Sequence, residues 1–156
     1  MSNPIAVNGL FETHLTVRDL DRSTAFYRDI VGLQPALHEP VLGASFFWIG
    51  AAGQAMLGLW SAGTAPITLL LHLAFAAPLD EVLAAPRHLR RRGVTPLSFH
   101  AEETNEPSVI GWMPAAAVYF RDPDGHLLEL LAMLDAAPDP ARRIVSWSEW
   151  STRVSR

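Results

Sequence analysis

Apolar and polar residues alternate along Leu10-Phe11-Glu12-Thr13-His14-Leu15-Thr16-Val17, which predicts a strand. The next stretch, Arg18 to Gly32, changes to helical spacing: Asp19 or Asp21 can cap a helix and Gly32 stops it. Three further strands are predicted around Leu33 to His38, Ala44 to Ile49 and Ala55 to Trp60, with turns at Gly43, Gly50, Gly53 and Gly63. The order βαβββ then repeats. Ile67 to Phe75 reads as a strand, and a helix opens at Pro78 and runs to Arg92, where Gly93 ends it. Strands follow near Thr95 to His100, Ala116 to Arg121 and Leu127 to Met133. Pro86 inside the second helix predicts a kink or a break.

The expected fold is α+β, two βαβββ modules forming a cupped mixed β-sheet with flanking helices. It would be a single domain over 1–156, with pseudo-repeats 9–62 and 66–134 and a C-terminal extension 135–156. Each half is too small to bury its sheet alone, so the halves are expected to pack together, within one chain or across a homodimer. Two segments stand outside the repeat. Residues 101–114 turn from polar to apolar, as a lid over a site or an ordinary long connection does. Residues 144–150 alternate and suit an edge strand or a segment packed on a partner subunit.

Composition narrows the chemistry. The net charge is −4 and all 12 basic residues are arginine, which leaves no basic stripe for nucleic acid. The absence of cysteine confines any metal to His and carboxylate ligands. No apolar run approaches about 18 residues and Met1 to Gly9 has no signal-peptide pattern, so a cytoplasmic protein with no membrane partner is expected. Against that background, His14 and His72, each followed by leucine in an apolar strand, and Glu129 in His126-Leu127-Leu128-Glu129-Leu130-Leu131 stand out. Two imidazoles and a carboxylate buried in such strands are costly unless paired, and a divalent metal suits all three.

Three stretches resemble the vicinal oxygen chelate superfamily of glyoxalases, bleomycin-resistance proteins and extradiol dioxygenases. They are Glu12-Thr13-His14-Leu15-Thr16-Val17-Arg18-Asp19-Leu20 with Ser23 to Asp29, then Leu71-His72-Leu73, and finally Tyr119 to Leu130 with its Asp122-Pro123-Asp124-Gly125 turn. The resemblance covers roughly residues 9 to 134 and implies metal ligands at His14, His72 and Glu129. Gly58 falls where bacterial glyoxalases carry a glutamate, so one ligand of the family set is missing. The remaining donors suit Mn, Fe, Ni or Zn with open positions for a bidentate small-molecule substrate.

Within that family, two His and one Glu, with Thr16 on the His14 face, are similar to fosfomycin thiol transferases. Tyr119 matches a tyrosine of those enzymes and of the dioxygenases, and Glu129 is the expected proton-moving carboxylate. Arg18 stands where glyoxalase I grips a glutathione carboxylate, making glutathione or another thiol a candidate co-substrate. Against the fosfomycin reading, no lysine exists and Ala117 replaces an expected serine, leaving Arg121, Arg142 or Arg143 for a phosphonate. His100 is the one further histidine suited to a site or lid. The first reading is a metal-dependent glyoxalase-like lyase, isomerase or thiol transferase. The alternatives are a bleomycin-resistance-like sequestering protein and, third, an extradiol-type dioxygenase.

Overall fold

The computed structural model describes residues 9–62 and 69–154, which fall into two compact units divided between Leu69 and Leu70. Gly63, Ile67 and Thr68, which the sequence places in a turn and a strand, lie outside the described residues.

Unit 1 is a four-stranded mixed sheet in the order β1-β4-β3-β2, built from β1 (Glu12–Val17), β2 (Gln34–Glu39), β3 (Ala44–Ile49) and β4 (Ala55–Ser61). The first strand runs parallel to the last, while β2, β3 and β4 form antiparallel pairs. Helix α1 (Leu20–Phe26) starts at Asp19, whose side chain accepts from the Arg22 amide at 2.9 Å, the N-cap bond expected of a short polar side chain. It widens into a π-helical turn, Tyr27–Val31, and ends at Gly32, whose φ of 83° is a conformation that glycine adopts without penalty. Alternation sends Leu15 and Val17 of β1 into a core with Phe47, Leu57, Leu59 and Tyr27. Pro35 sits on the edge strand β2, where a missing amide hydrogen costs no ladder bond.

Unit 2 has five strands in the order β5-β8-β7-β6-β9: β5 (His72–Ala76), β6 (Ser108–Ile110), β7 (Ala115–Arg121), β8 (Leu127–Met133) and β9 (Ile144–Ser146). Here too the first strand, β5, is parallel to β8, and the remaining pairs are antiparallel. Helix α2 (Leu79–Arg91) packs Val82, Ala85, Pro86 and Leu89 onto β7 and β8. The two mixed sheets with their helices are the α+β paired plan that the sequence predicts.

Several expectations need correction. Helix α2 runs through Pro86 without a break, because the proline ring is fully buried in the helix's packed face and that burial offsets the lost amide donor. Thr95 to His100 is not a strand; Leu97 makes only isolated bridges to Glu103 and Tyr119. The 101–114 segment is no free lid, since it contains β6, whose Val109 and Ile110 are buried between β7 and β9. The tail supplies the edge strand β9 and then helix α3 (Trp147–Val154), capped where Glu106 accepts from the Ser148 amide at 2.7 Å. The strand holding His72 starts at that residue, and Leu69, Leu70 and Leu71 lie outside it. Among the described residues no helix is long and apolar enough to cross a membrane.

Candidate functional site

In unit 1, β1 turns Leu15 and Val17 to the core and leaves Glu12, His14 and Thr16 on the opposite, exposed face. His14 is therefore not a buried core residue: its side chain is 46% exposed, against the burial that its apolar neighbours predict. Its register partner on β4 is Gly58, and the imidazole lies over that glycine. A Cβ at position 58 would come within 2.8 Å of His14 Cδ2 and 3.1 Å of Nε2. Phe46 and Trp60 wall the ring, with centroids at 6.1 and 5.9 Å. His14 Nε2 meets Glu12 Oε1 at 2.9 Å. Thr16 shares this face, and Arg18 is exposed between the end of β1 and the cap of α1.

In unit 2 the second predicted histidine and the predicted carboxylate come together. Parallel pairing of β5 with β8 brings His72 Nε2 to 3.0 Å from Glu129 Oε2. Glu129 is buried, its side chain 7% exposed, whereas His72 is 48% exposed, so the expected burial holds for the carboxylate and fails for the imidazole. The second carboxylate oxygen, Oε1, is buried without a hydrogen-bond partner. Tyr119 faces Glu129 directly across the β7–β8 ladder, and its ring lies 6.2 Å from that of His72. Burial, and next the negative charge of Glu129, push the Tyr119 phenol far above the usual tyrosine range, so the hydroxyl stays protonated at neutral pH.

The other residues singled out in the sequence lie elsewhere in unit 2. Arg121 donates from Nη1 to the Gly125 carbonyl at 3.0 Å, which ties it to the turn before β8. Arg142 pairs with Asp139 at 3.1 Å and lies 4.5 Å over the Trp150 ring, a structural use of the guanidinium. Ala117 is fully buried. His100 lines a separate polar cavity of about 270 Å³ with Ser98, Glu102 and Glu106. Among the described residues no three His, Asp or Glu side chains are gathered tightly enough to cage an ion, and the closest approaches are the two His–Glu pairs.

Those pairs are the groups able to hold a divalent metal. The donor set of imidazole and carboxylate suits Mn, Fe, Ni or Zn, and the unpartnered oxygen of Glu129 is a buried anionic lone pair of the kind a cation satisfies. Glu12 is the residue that the sequence reading passed over. Its position two before His14 puts both on one strand face, a signal available from alternation alone.

The comparisons with known proteins agree with this architecture. A family model for the Glyoxalase/Bleomycin resistance protein/Dioxygenase superfamily matches residues 9–130. An integron cassette protein from the mobile metagenome of a Halifax Harbour sewage outfall is 28% identical with a TM-score of 0.69, over 81% of this chain and 100% of that one. A genomically encoded fosfomycin resistance protein of Listeria monocytogenes is 25% identical with a TM-score of 0.61, over 83% and 97% of the two chains. A lactoylglutathione lyase of Agrobacterium tumefaciens shares the fold at 24% identity and a TM-score of 0.62, over 81% and 95%. With the family match spanning both His–Glu pairs, the chain belongs to the glyoxalase, bleomycin-resistance and dioxygenase superfamily.

Proposed function

We propose that this protein is a divalent-metal-dependent enzyme acting on a small substrate that presents two oxygens, with His72 and Glu129 of unit 2 as ligands. The observation that carries the reading is the buried, unpartnered Oε1 of Glu129, beside a half-exposed imidazole. An unsatisfied buried oxygen of a charged group costs at least about 1–3 kcal/mol, and a bound cation offsets that cost. Family membership supports a metal-binding role for His14, in unit 1, as well.

The bound ion supplies a Lewis acid that holds substrate oxygens and stabilises negative charge developing on them. The chain's own residues do the rest. Tyr119, kept as a neutral phenol, donates a hydrogen bond to a substrate oxygen at the Glu129 edge of the site. In unit 1, Thr16 shares the face of His14 and offers a hydroxyl, and Arg18 offers a guanidinium to the carboxylate of a thiol co-substrate.

Elemental analysis and calorimetry test the reading. Purified protein is expected to hold Mn, Fe, Ni or Zn stoichiometrically, and to lose it in His72→Ala and in Glu129→Gln. Turnover is then sought with the methylglyoxal–glutathione hemithioacetal, with fosfomycin plus water or thiol, and with catechols. Wild-type protein that takes up no metal and melts at the same temperature with and without added metal would sink the proposal and leave a sequestering cleft.

A further inference from the structure

Within unit 2, one more ring adjoins the group formed by His72, Glu129 and Tyr119. Leu97 exchanges both backbone hydrogen bonds with Tyr119: its amide donates to the Tyr119 carbonyl at 2.6 Å, and its carbonyl accepts from the Tyr119 amide at 3.0 Å. That bridge brings the following turn of chain against β7 and sets Phe99 beside Tyr119, with ring centroids 6.0 Å apart and planes at 81°. The rings of Tyr119 and His72 are 6.2 Å apart and inclined at only 31°. Three rings therefore adjoin in series, and Phe99 stands nearly upright against the second.

Phe99 is 47% exposed, so core packing does not account for its place. The turn that carries it is nonetheless firmly held. Its amide donates to the Oγ of buried Ser108 at 3.0 Å, the Ser98 amide donates to the Glu102 carbonyl at 2.7 Å, and the Ala101 amide donates back to the Ser98 carbonyl at 3.0 Å. Ala101 has a φ of 61°, a left-handed conformation that a residue with a Cβ adopts at a cost. A strained turn thus fixes a wet phenyl ring next to a neutral phenol, across the ladder from a carboxylate whose buried Oε1 has no partner. Small-molecule sites combine apolar, largely aromatic walls with a few convergent polar groups, and these residues supply both.

We infer that Phe99 is a specificity-determining residue of the unit 2 site, a wall for a flat, ring-bearing part of the substrate whose two oxygens lie toward His72 and Glu129. A short alkyl group would leave the Phe99 ring largely wet. An aromatic ring can meet it face to edge or offset, the arrangements that aromatic quadrupoles favour. This inference rests on the two-oxygen reading above and adds the class of substrate.

The test uses acetohydroxamate and benzohydroxamate, which share one two-oxygen head and differ in carrying a methyl or a phenyl group. Each is titrated by calorimetry into purified, metal-loaded protein. Wild type is expected to bind benzohydroxamate roughly tenfold more tightly, the size of effect that a buried aromatic contact gives. Phe99→Ala should lose most of that preference and keep its affinity for acetohydroxamate. Phe99→Leu, which retains apolar bulk without a ring, should fall between and carries the test if the alanine variant does not fold. A purely structural role for Phe99 would weaken both probes alike and leave their ratio unchanged, and that result overturns the inference. Equal binding of both probes by wild type also overturns it while the two-oxygen reading stands. If wild type binds neither, that reading fails and the inference with it.

Discussion

At Gly58 the missing atom matters more than those present. Gly58→Ala must drive the His14 ring off β4, and because that ring is half exposed it has room to swing away. The variant is therefore expected to stay folded, with a melting temperature within a few degrees of wild type, while its affinity for Co²⁺ drops roughly tenfold. Calorimetry beside a thermal melt checks this, and an unchanged affinity would show that the ring's seat is immaterial. Tyr119 makes a second residue-scale prediction. Its folded-state pKa is raised above 10.0, so the neutral phenol's stabilising contribution is complete below that pH and is lost as pH climbs beyond it. Subtracting the alkaline absorbance titration of Tyr119→Phe from that of wild type should show phenolate appearing well above pH 10.0, and an ordinary midpoint would remove burial and Glu129 as causes. That His72, Glu129 and Tyr119 lie together was legible in the sequence, because each sits in a motif. What misled was the apolar company of the histidines. Leu15 and Val17 point to the far face of β1, so residues apolar in sequence around His14 are not apolar in space.

Among the elements, the turn between β7 and β8 was legible in the sequence as Asp122-Pro123-Asp124-Gly125. Asp122 is buried and its Oδ1 accepts from the amides of Asp124 and His126, both at 2.9 Å, an arrangement its short carboxylate favours in turns. His126 in turn accepts at Nδ1 from the Leu71 amide at 3.1 Å, which sets β5 beside β8 and so places His72 against Glu129. Asp122→Ala removes the acceptor of one buried and one part-buried amide and is expected to cost about 2 kcal/mol, read as a lower urea midpoint with unchanged slope. Asp122→Asn, which keeps one acceptor oxygen, should lose less. The elements that escaped the sequence are short and held from a distance. Ser108–Ile110 is too brief for alternation to register, and only pairing with β7 and β9 makes it a strand. Thr95 to His100 has an extended pattern but forms β-bridges at Leu97 alone within that stretch. The C-terminal helix depends on Glu106, forty-two residues before the Ser148 amide it caps.

On the scale of the whole molecule, both units follow one rule: the first strand pairs in parallel with one that follows it only after other elements, β1 with β4 and β5 with β8. Antiparallel neighbours can zip locally, whereas these parallel pairs must wait for the intervening chain to be arranged. Leu15, buried on β1, tests the consequence for folding. Leu15→Ala is expected to destabilise by about 2–5 kcal/mol and to show that loss mainly as faster unfolding, because β1 docks late. Stopped-flow kinetics in which folding slows by the same factor would place β1 in the nucleus instead. The rule also has a meaning during synthesis. Chains emerge N-terminus first, so β1 hangs as an unmated edge until Ser61 has left the ribosome, and β5 hangs until Met133 has. Glu12, His14 and Thr16 keep one face of the first waiting strand wetted, but the second follows Leu69-Leu70-Leu71 and carries only His72 as a polar residue. That stretch, idle while the chain from Ala77 to Met133 is made, is where a nascent-chain chaperone is expected to take hold.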